Sequence, residues 1–190
     1  MTPRLPVPAR LAALAAAALL GACAHGPAHD VVAVPAAIAT AAPQRLALTL
    51  AAEGVQIYEC RAPLVAQVGA GGLAAKPQWT FVAPEARLLD GDGRAVGQHG
   101  AGPHWTFDDG TRITARVKAR TDAAEAGAIP WLLLEARTAA TGPNRYSDLR
   151  SIQRVNTSGG SAPAEGCTAQ DVGARVRVPY RADYLFYSAH

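Results

Sequence analysis

Apolar and polar residues alternate with a period of two along most of the chain, and no long stretch keeps the period of a helix. The clearest case is residues 112–119. Arg112, Thr114, Arg116 and Lys118 fall on one side, and Ile113, Ala115, Val117 and Ala119 on the other. Successive side chains of a strand point to opposite faces, so this pattern predicts one wet face and one buried face. Val55-Gln56-Ile57-Tyr58-Glu59-Cys60 alternates in the same way, after a short segment carrying Leu46, Leu48 and Leu50. Gln78-Trp79-Thr80-Phe81-Val82 reads as a further strand, and Pro84-Glu85-Ala86-Arg87-Leu88-Leu89 as the lead into the next. Ile129-Pro130-Trp131-Leu132-Leu133-Leu134-Glu135-Ala136 is apolar almost without a break, which predicts a strand covered on both faces. Residues 151–156, 175–178 and 184–187 add three more. Asp90-Gly91 and Asp92-Gly93 are hairpin-turn dipeptides, and residues 122–127 form either one helical turn or a loop. Some eight short strands between turns predict an all-β fold: a single antiparallel β-sandwich or barrel-like domain with Gly/Pro-rich loops.

The first residues follow a different pattern. Arg4 and Arg10 flank a basic start, and the apolar run over 11–20 is too short for a bilayer, which needs about 20 residues. It fits the hydrophobic core of a secretory signal. Leu20-Gly21-Ala22-Cys23 has the form of a bacterial lipobox, in which Cys23 takes the lipid and becomes the new N-terminus. The plain alternative is cleavage without lipidation. The expected organisation is a lipoprotein signal peptide over residues 1–22, an Ala/Pro-rich tether over 23–45 and the folded domain over 46–190. Ala24, where Asp would retain the protein at the inner membrane, directs the expectation to an outer-membrane lipoprotein facing the periplasm. His25 and His29 lie in the tether and read as solvated.

With Cys23 set aside, Cys60 and Cys167 are the remaining cysteines, in a compartment that permits a bridge. Closing that loop of 107 residues would restrict the unfolded chain by about 4–5 kcal/mol. Two separate buried thiols are the alternative. Charge narrows the partners. Of 18 Lys and Arg two belong to the signal, so 16 face 15 Asp and Glu, too even a balance to steer nucleic acid. No nucleic-acid partner is expected; the membrane, reached through the lipid, is.

Several motifs occur in a fixed order: Gly54-Val55-Gln56-Ile57-Tyr58-Glu59-Cys60, Trp79-Thr80-Phe81, Pro84-Glu85-Ala86 and His99-Gly100-Ala101-Gly102-Pro103-His104-Trp105. Asp109-Gly110, Ile129-Pro130-Trp131-Leu132-Leu133, Ile152-Gln153-Arg154-Val155-Asn156-Thr157, Gly159-Gly160 and Val178-Pro179-Tyr180-Arg181-Ala182-Asp183-Tyr184 follow. Together they resemble the secreted bacterial and fungal family DUF3455, a domain of unknown function, from Glu53 to about Tyr187. The resemblance implies a secreted β-rich domain and no activity to carry over. It also implies an aromatic residue at position 100 and Thr at 104, where this chain has Gly100 and His104. A site built on His104 would therefore not be shared across the family.

Candidate chemistry gathers in residues 91–110, which hold six Gly, two of the five His and one of the three Trp. His99 and His104 with Asp108 and Asp109 have the donor types of a metal site, but lack Cys-x-x-Cys or His-Glu-x-x-His spacing. In the structural reading His99 bonds loop backbone and Asp109 makes an Asp-Gly turn. Ser151, Ser158 or Ser161 with His99 and Asp109 would suit a hydrolase, yet no Gly-x-Ser-x-Gly elbow is present. Glu85, Asp108, Asp109 and Glu135 offer carboxylates for glycoside hydrolysis without fixing a pair. The loop Asn156-Thr157-Ser158-Gly159-Gly160-Ser161 could bind an anion or sugar hydroxyls through its amides, and Arg154 before it reads equally as a structural partner or a ligand contact. Trp131 reads as core. Trp105 is either an exposed stacking platform for a sugar ring or a pin holding its loop to the core.

The leading expectation is a non-catalytic, ligand-binding or structural envelope domain. Its binding residues would be His99, Trp105, Asp109, Arg154 and Asn156, with an envelope glycan or small molecule as ligand and neither metal nor cofactor. The alternative is an envelope hydrolase or metal-dependent enzyme using His99 with Asp108 or Asp109. A catalytic His99 would lie within hydrogen-bond reach of one of those carboxylates, whereas a structural one would be buried against backbone carbonyls.

Overall fold

The computed structural model describes residues 33–62, 76–138 and 146–189. Eight strands follow in chain order: β1 (Arg45–Arg61), β2 (Gln78–Leu89), β3 (Ala95–Gly100), β4 (His104–Phe107), β5 (Arg112–Thr121), β6 (Trp131–Thr138), β7 (Leu149–Gly159) and β8 (Arg175–Ser188). Each pairs antiparallel with the next, and β8 returns to β1, so the sheet closes into a barrel rather than a sandwich. At eight strands the interior is just wide enough for side chains to fill or for one small ligand. Leu50, Leu88, Ile113, Leu134, Ile152 and Phe186 are among those that fill it.

Several expected strands are halves of longer ones. Residues 46–50 and 55–60 are both β1, and 175–178 and 184–187 are both β8. Residues 78–82 and 84–89 likewise merge into β2 despite Pro84. β3 pairs with β2 only over Ala86–Leu89, so Pro84 faces a bare edge where its missing N–H breaks no ladder. Ile57 pairs with Ala83 and Tyr58 with Phe81, leaving Val82 as a bulge. Residues 95–107, expected to be loop, form the hairpin β3–β4. The inward positions there are Gly97, His99, Trp105 and Phe107, and a Gly and a His do not register as an apolar alternation.

The apolar run over β6 is covered on both faces, as its composition requires. Leu132 and Leu134 pack inside the barrel. Leu133 and Trp131 pack outside it with Val155 and Ile38, which is 0% exposed. Ile38 belongs to a short 3-10 turn, Ala36–Ile38, and its carbonyl accepts from Gln153 Nε2 at 2.7 Å. Residues 33–45 of the expected tether are thus folded against the barrel. Cys23, His25, His29 and the rest of that tether lie outside the described residues, as does the Gly-rich segment 68–73.

Outside, cross-strand ion pairs dominate: Glu85 with Arg177, Glu59 with Arg175, Arg116 with Glu135 and Glu53 with Arg181. Exposed pairs of this kind contribute little to stability, but they make the exterior a water-facing surface. A barrel seated in lipid needs an apolar band there instead. Cys60 at the end of β1 and Cys167 in the β7–β8 connection form a disulfide. The turns 90–94 and 108–111 lie at one end of the barrel. The turn 101–103, the segment 122–130 and the disulfide-bearing connection lie at the other.

Candidate functional site

The hairpin β3–β4 is short beside its neighbours, and this opens the wall. β2 has no β3 partner before Ala86, and the last contact of β5 with the hairpin is Ala115 N–H donating to Pro103 O at 3.1 Å. Two bare edges therefore flank a gap, with the turn 101–103 as its sill. Behind it lies a cavity of about 150 Å³. Phe81 and Val117 stand at its rim, 49% and 52% exposed, and Leu132 and Leu134 form its wall. Val117 was expected on the buried face. The register of β5 against β6 shifts between Val117 and Ala119, so the alternation slips as the strand leaves the closed part of the barrel.

Four residues with polar side chains are among those lining this cavity: His99, Trp105, Arg154 and Tyr184. His99 and Trp105 are cross-strand partners whose rings stack at 4.6 Å between centroids and 18° between planes. Tyr184 from β8 packs on both, at 5.0 Å and 5.3 Å. Trp105 is 0% exposed, so it is a core residue and not a stacking platform. Its Nε1 has no hydrogen-bond partner. Burial holds the Tyr184 phenol above its usual pKa, with the Arg154 guanidinium and the Tyr180 hydroxyl beside it working against burial, so this hydroxyl keeps its proton. Arg154 points inward because it shares a face of β7 with Ile152. Its Nε and Nη2 both donate to Pro130 O, at 3.1 and 2.8 Å.

His99 is 4% exposed, and its Nδ1 lies 2.8 Å from His104 O. A carbonyl can only accept, so Nδ1 carries the proton and Nε2 is the bare nitrogen. Burial lowers its pKa to about 3; the Arg154 charge adds to this, while the bond to His104 opposes it. Asp108 and Asp109 are at the far end of the hairpin. Asp109 follows Trp105 by four residues, about 13 Å along a strand at about 3.3 Å per residue. Its Oδ1 accepts from Thr111 N–H at 2.9 Å, and Gly110 follows at φ +82°, the expected Asp-Gly turn. The geometry therefore gives His99 a structural place and supplies no acid–base partner from Asp108 or Asp109.

The remaining candidates separate. Asn156 sits on the outside of a bulge in β7 at φ 50°, a backbone state Asn tolerates, and its Nδ2 donates to Asp183 at 2.7 Å. Ser158 donates to Glu125, and Glu85 and Glu135 lie in exterior ion pairs. Among the described residues no three His, Cys, Asp or Glu side chains converge as a metal site would require. Of the five expected binding residues, the cavity thus unites His99, Trp105 and Arg154, and leaves out Asp109 and Asn156. The sequence reading missed Tyr184. Its signal was parity: Tyr180, Ala182, Tyr184 and Phe186 occupy one face of β8. A larger groove of about 420 Å³ runs over the outside of β1–β3, but its charged lining, including Glu85 and Arg177, is already paired.

His104 explains the two departures from the family pattern together. Gly100 and His104 are directly paired, and the imidazole lies over the bare Cα: a Cβ at 100 would meet His104 Cε1 at 2.8 Å. The ring at 104 fills space that an aromatic side chain at 100 would need. His104 Nδ1 then donates to Ala101 O at 2.6 Å and closes the turn.

Residues 40–188 match the family described as a protein of unknown function (DUF3455), and the chain belongs to that family. No curated protein and no solved structure matches it.

Proposed function

We propose that this DUF3455 member is a non-catalytic binding protein of the bacterial cell envelope, anchored by lipid on Cys23, that takes a small molecule into its barrel through the gap beside β3–β4. The observation that carries the reading is a cavity with mostly apolar walls, reached through the gap and lined by one guanidinium, that of Arg154. A guanidinium among apolar walls is a donor group that a ligand acceptor in the cavity meets. The size favours a single ring over a glycan chain, since about 150 Å³ holds one benzene-sized molecule. The Cys60–Cys167 bond accords with an exported, oxidising location.

The test is a thermal-shift panel of ring-sized compounds on wild-type protein and on Leu134→Phe, which fills the cavity. A ligand at about a hundred times its Kd adds about 2.7 kcal/mol and raises the melting temperature by several degrees. That rise is expected in wild type and not in Leu134→Phe. Flat melting temperatures across the panel, or an equal rise in the filled variant, would remove the proposal.

A further inference from the structure

The exterior arginines Arg116, Arg175, Arg177 and Arg181 each have a glutamate partner, as do Arg61 and Arg87. Arg154 instead lines the cavity on the inward face of β7, and among the described residues no carboxylate lies within the 4.0 Å of an ion pair with it. A guanidinium has five N–H donors, and Pro130 O engages Nε and Nη2 only. Beside it stands Tyr184, whose phenol burial keeps neutral, so it supplies no counter-charge. No Asp or Glu lines the space, and the rest of the lining is mostly apolar. A positive charge held in such surroundings without a counter-ion is unfavourable, and an entering anion relieves it. A carboxylate suits the site best, because it accepts two parallel bonds from a guanidinium.

Resting on the reading of this cavity as a binding site, we infer that its ligand is a small monocarboxylate with a one-ring apolar body. Its carboxylate lies on N–H groups of Arg154 that Pro130 O does not engage, and its ring lies against Leu132 and Leu134. Phe81 and Val117 at the rim give the ring an apolar path into the cavity.

Calorimetric titration of the purified full-length protein with benzoate and with benzamide, its neutral counterpart of the same shape, tests the inference. Benzoate is expected to bind at least about tenfold more tightly than benzamide, the scale of one charge-assisted bond. Arg154→Gln is expected to erase that difference. Should Arg154→Gln fail to fold, Arg154→Lys, which keeps the charge and loses the planar fork, is expected to narrow the difference several-fold. Equal binding of the two compounds overturns the preference for an anion while leaving the binding site in place. Absence of binding by either compound overturns both.

Discussion

At His99 two effects oppose each other. The bond to the His104 carbonyl favours the protonated ring; burial, reinforced by the Arg154 charge, disfavours it and prevails, bringing the pKa to about 3. The unfolded chain takes up a proton near the ordinary histidine pKa of about 6.5, and the folded chain does not. Stability is therefore fully present above about pH 6.5 and falls as the pH drops toward 3, by on the order of 1 kcal/mol for each pH unit. Carboxylates titrate lower, so denaturant melts between pH 6.5 and 5 isolate this residue. His99→Gln is expected to flatten the slope in that window; an unchanged slope would mean that the ring is protonated in the folded protein. Arg154 was a candidate because it precedes the Asn156–Ser161 loop; what places it is parity with Ile152 on the inward face of β7. Asn156 and Asp109 were not separable from it by composition, since polar residues that serve a bulge or a turn look the same in sequence as those that meet a ligand.

Among the strands, β6 and the first half of β5 could be read directly, because an undiluted apolar run and an undiluted alternation leave little choice of environment; beyond Ala115 the slip in register exposes Val117. β1 could not be read as one strand. Its 17 residues pair with β2 on one side and β8 on the other, and Gly54 in the middle looks like a break. Within the barrel it is a contact point: a Cβ there would lie 2.0 Å from Glu85 O and 2.5 Å from Ala86 Cα. Backbone cannot move aside as a side chain can. Gly54→Ala is expected to destabilise by at least about 2 kcal/mol, in the range of overpacking or beyond, measured by urea denaturation. A neutral effect would mean that β1 and β2 are farther apart than described. β2 hid its continuity behind Pro84, and β3–β4 hid theirs behind inward Gly97 and His99. Each is a position where the closed sheet, and not the local chain, decides what is tolerated.

For the whole molecule, closure of the sheet was half legible. The turn spacing indicated antiparallel strands, but a sandwich and a barrel share that signal, and only the return of β8 to β1 separates them. The gap in the wall was not legible at all, because it follows from the lengths of four strands relative to one another. Cys60–Cys167 ties the gap-bearing end of the barrel together across 107 residues. In the proposed envelope setting, Cys23→Ser is expected to abolish incorporation of labelled fatty acid and to move the protein from the membrane to the soluble fraction. Continued labelling would remove the anchor from the account. The occupancy of the barrel is open to the most direct measurement. The protein has three tryptophans, and the indole N–H of Trp79 already donates to Glu165 O at 2.8 Å, while that of Trp105 has no acceptor. In a proton–nitrogen correlation spectrum, adding benzoate is expected to shift the Trp105 indole resonance and leave that of Trp79 in place. Three unmoved indole signals at millimolar benzoate, or the same shift in Leu134→Phe, would contradict a ligand in the barrel.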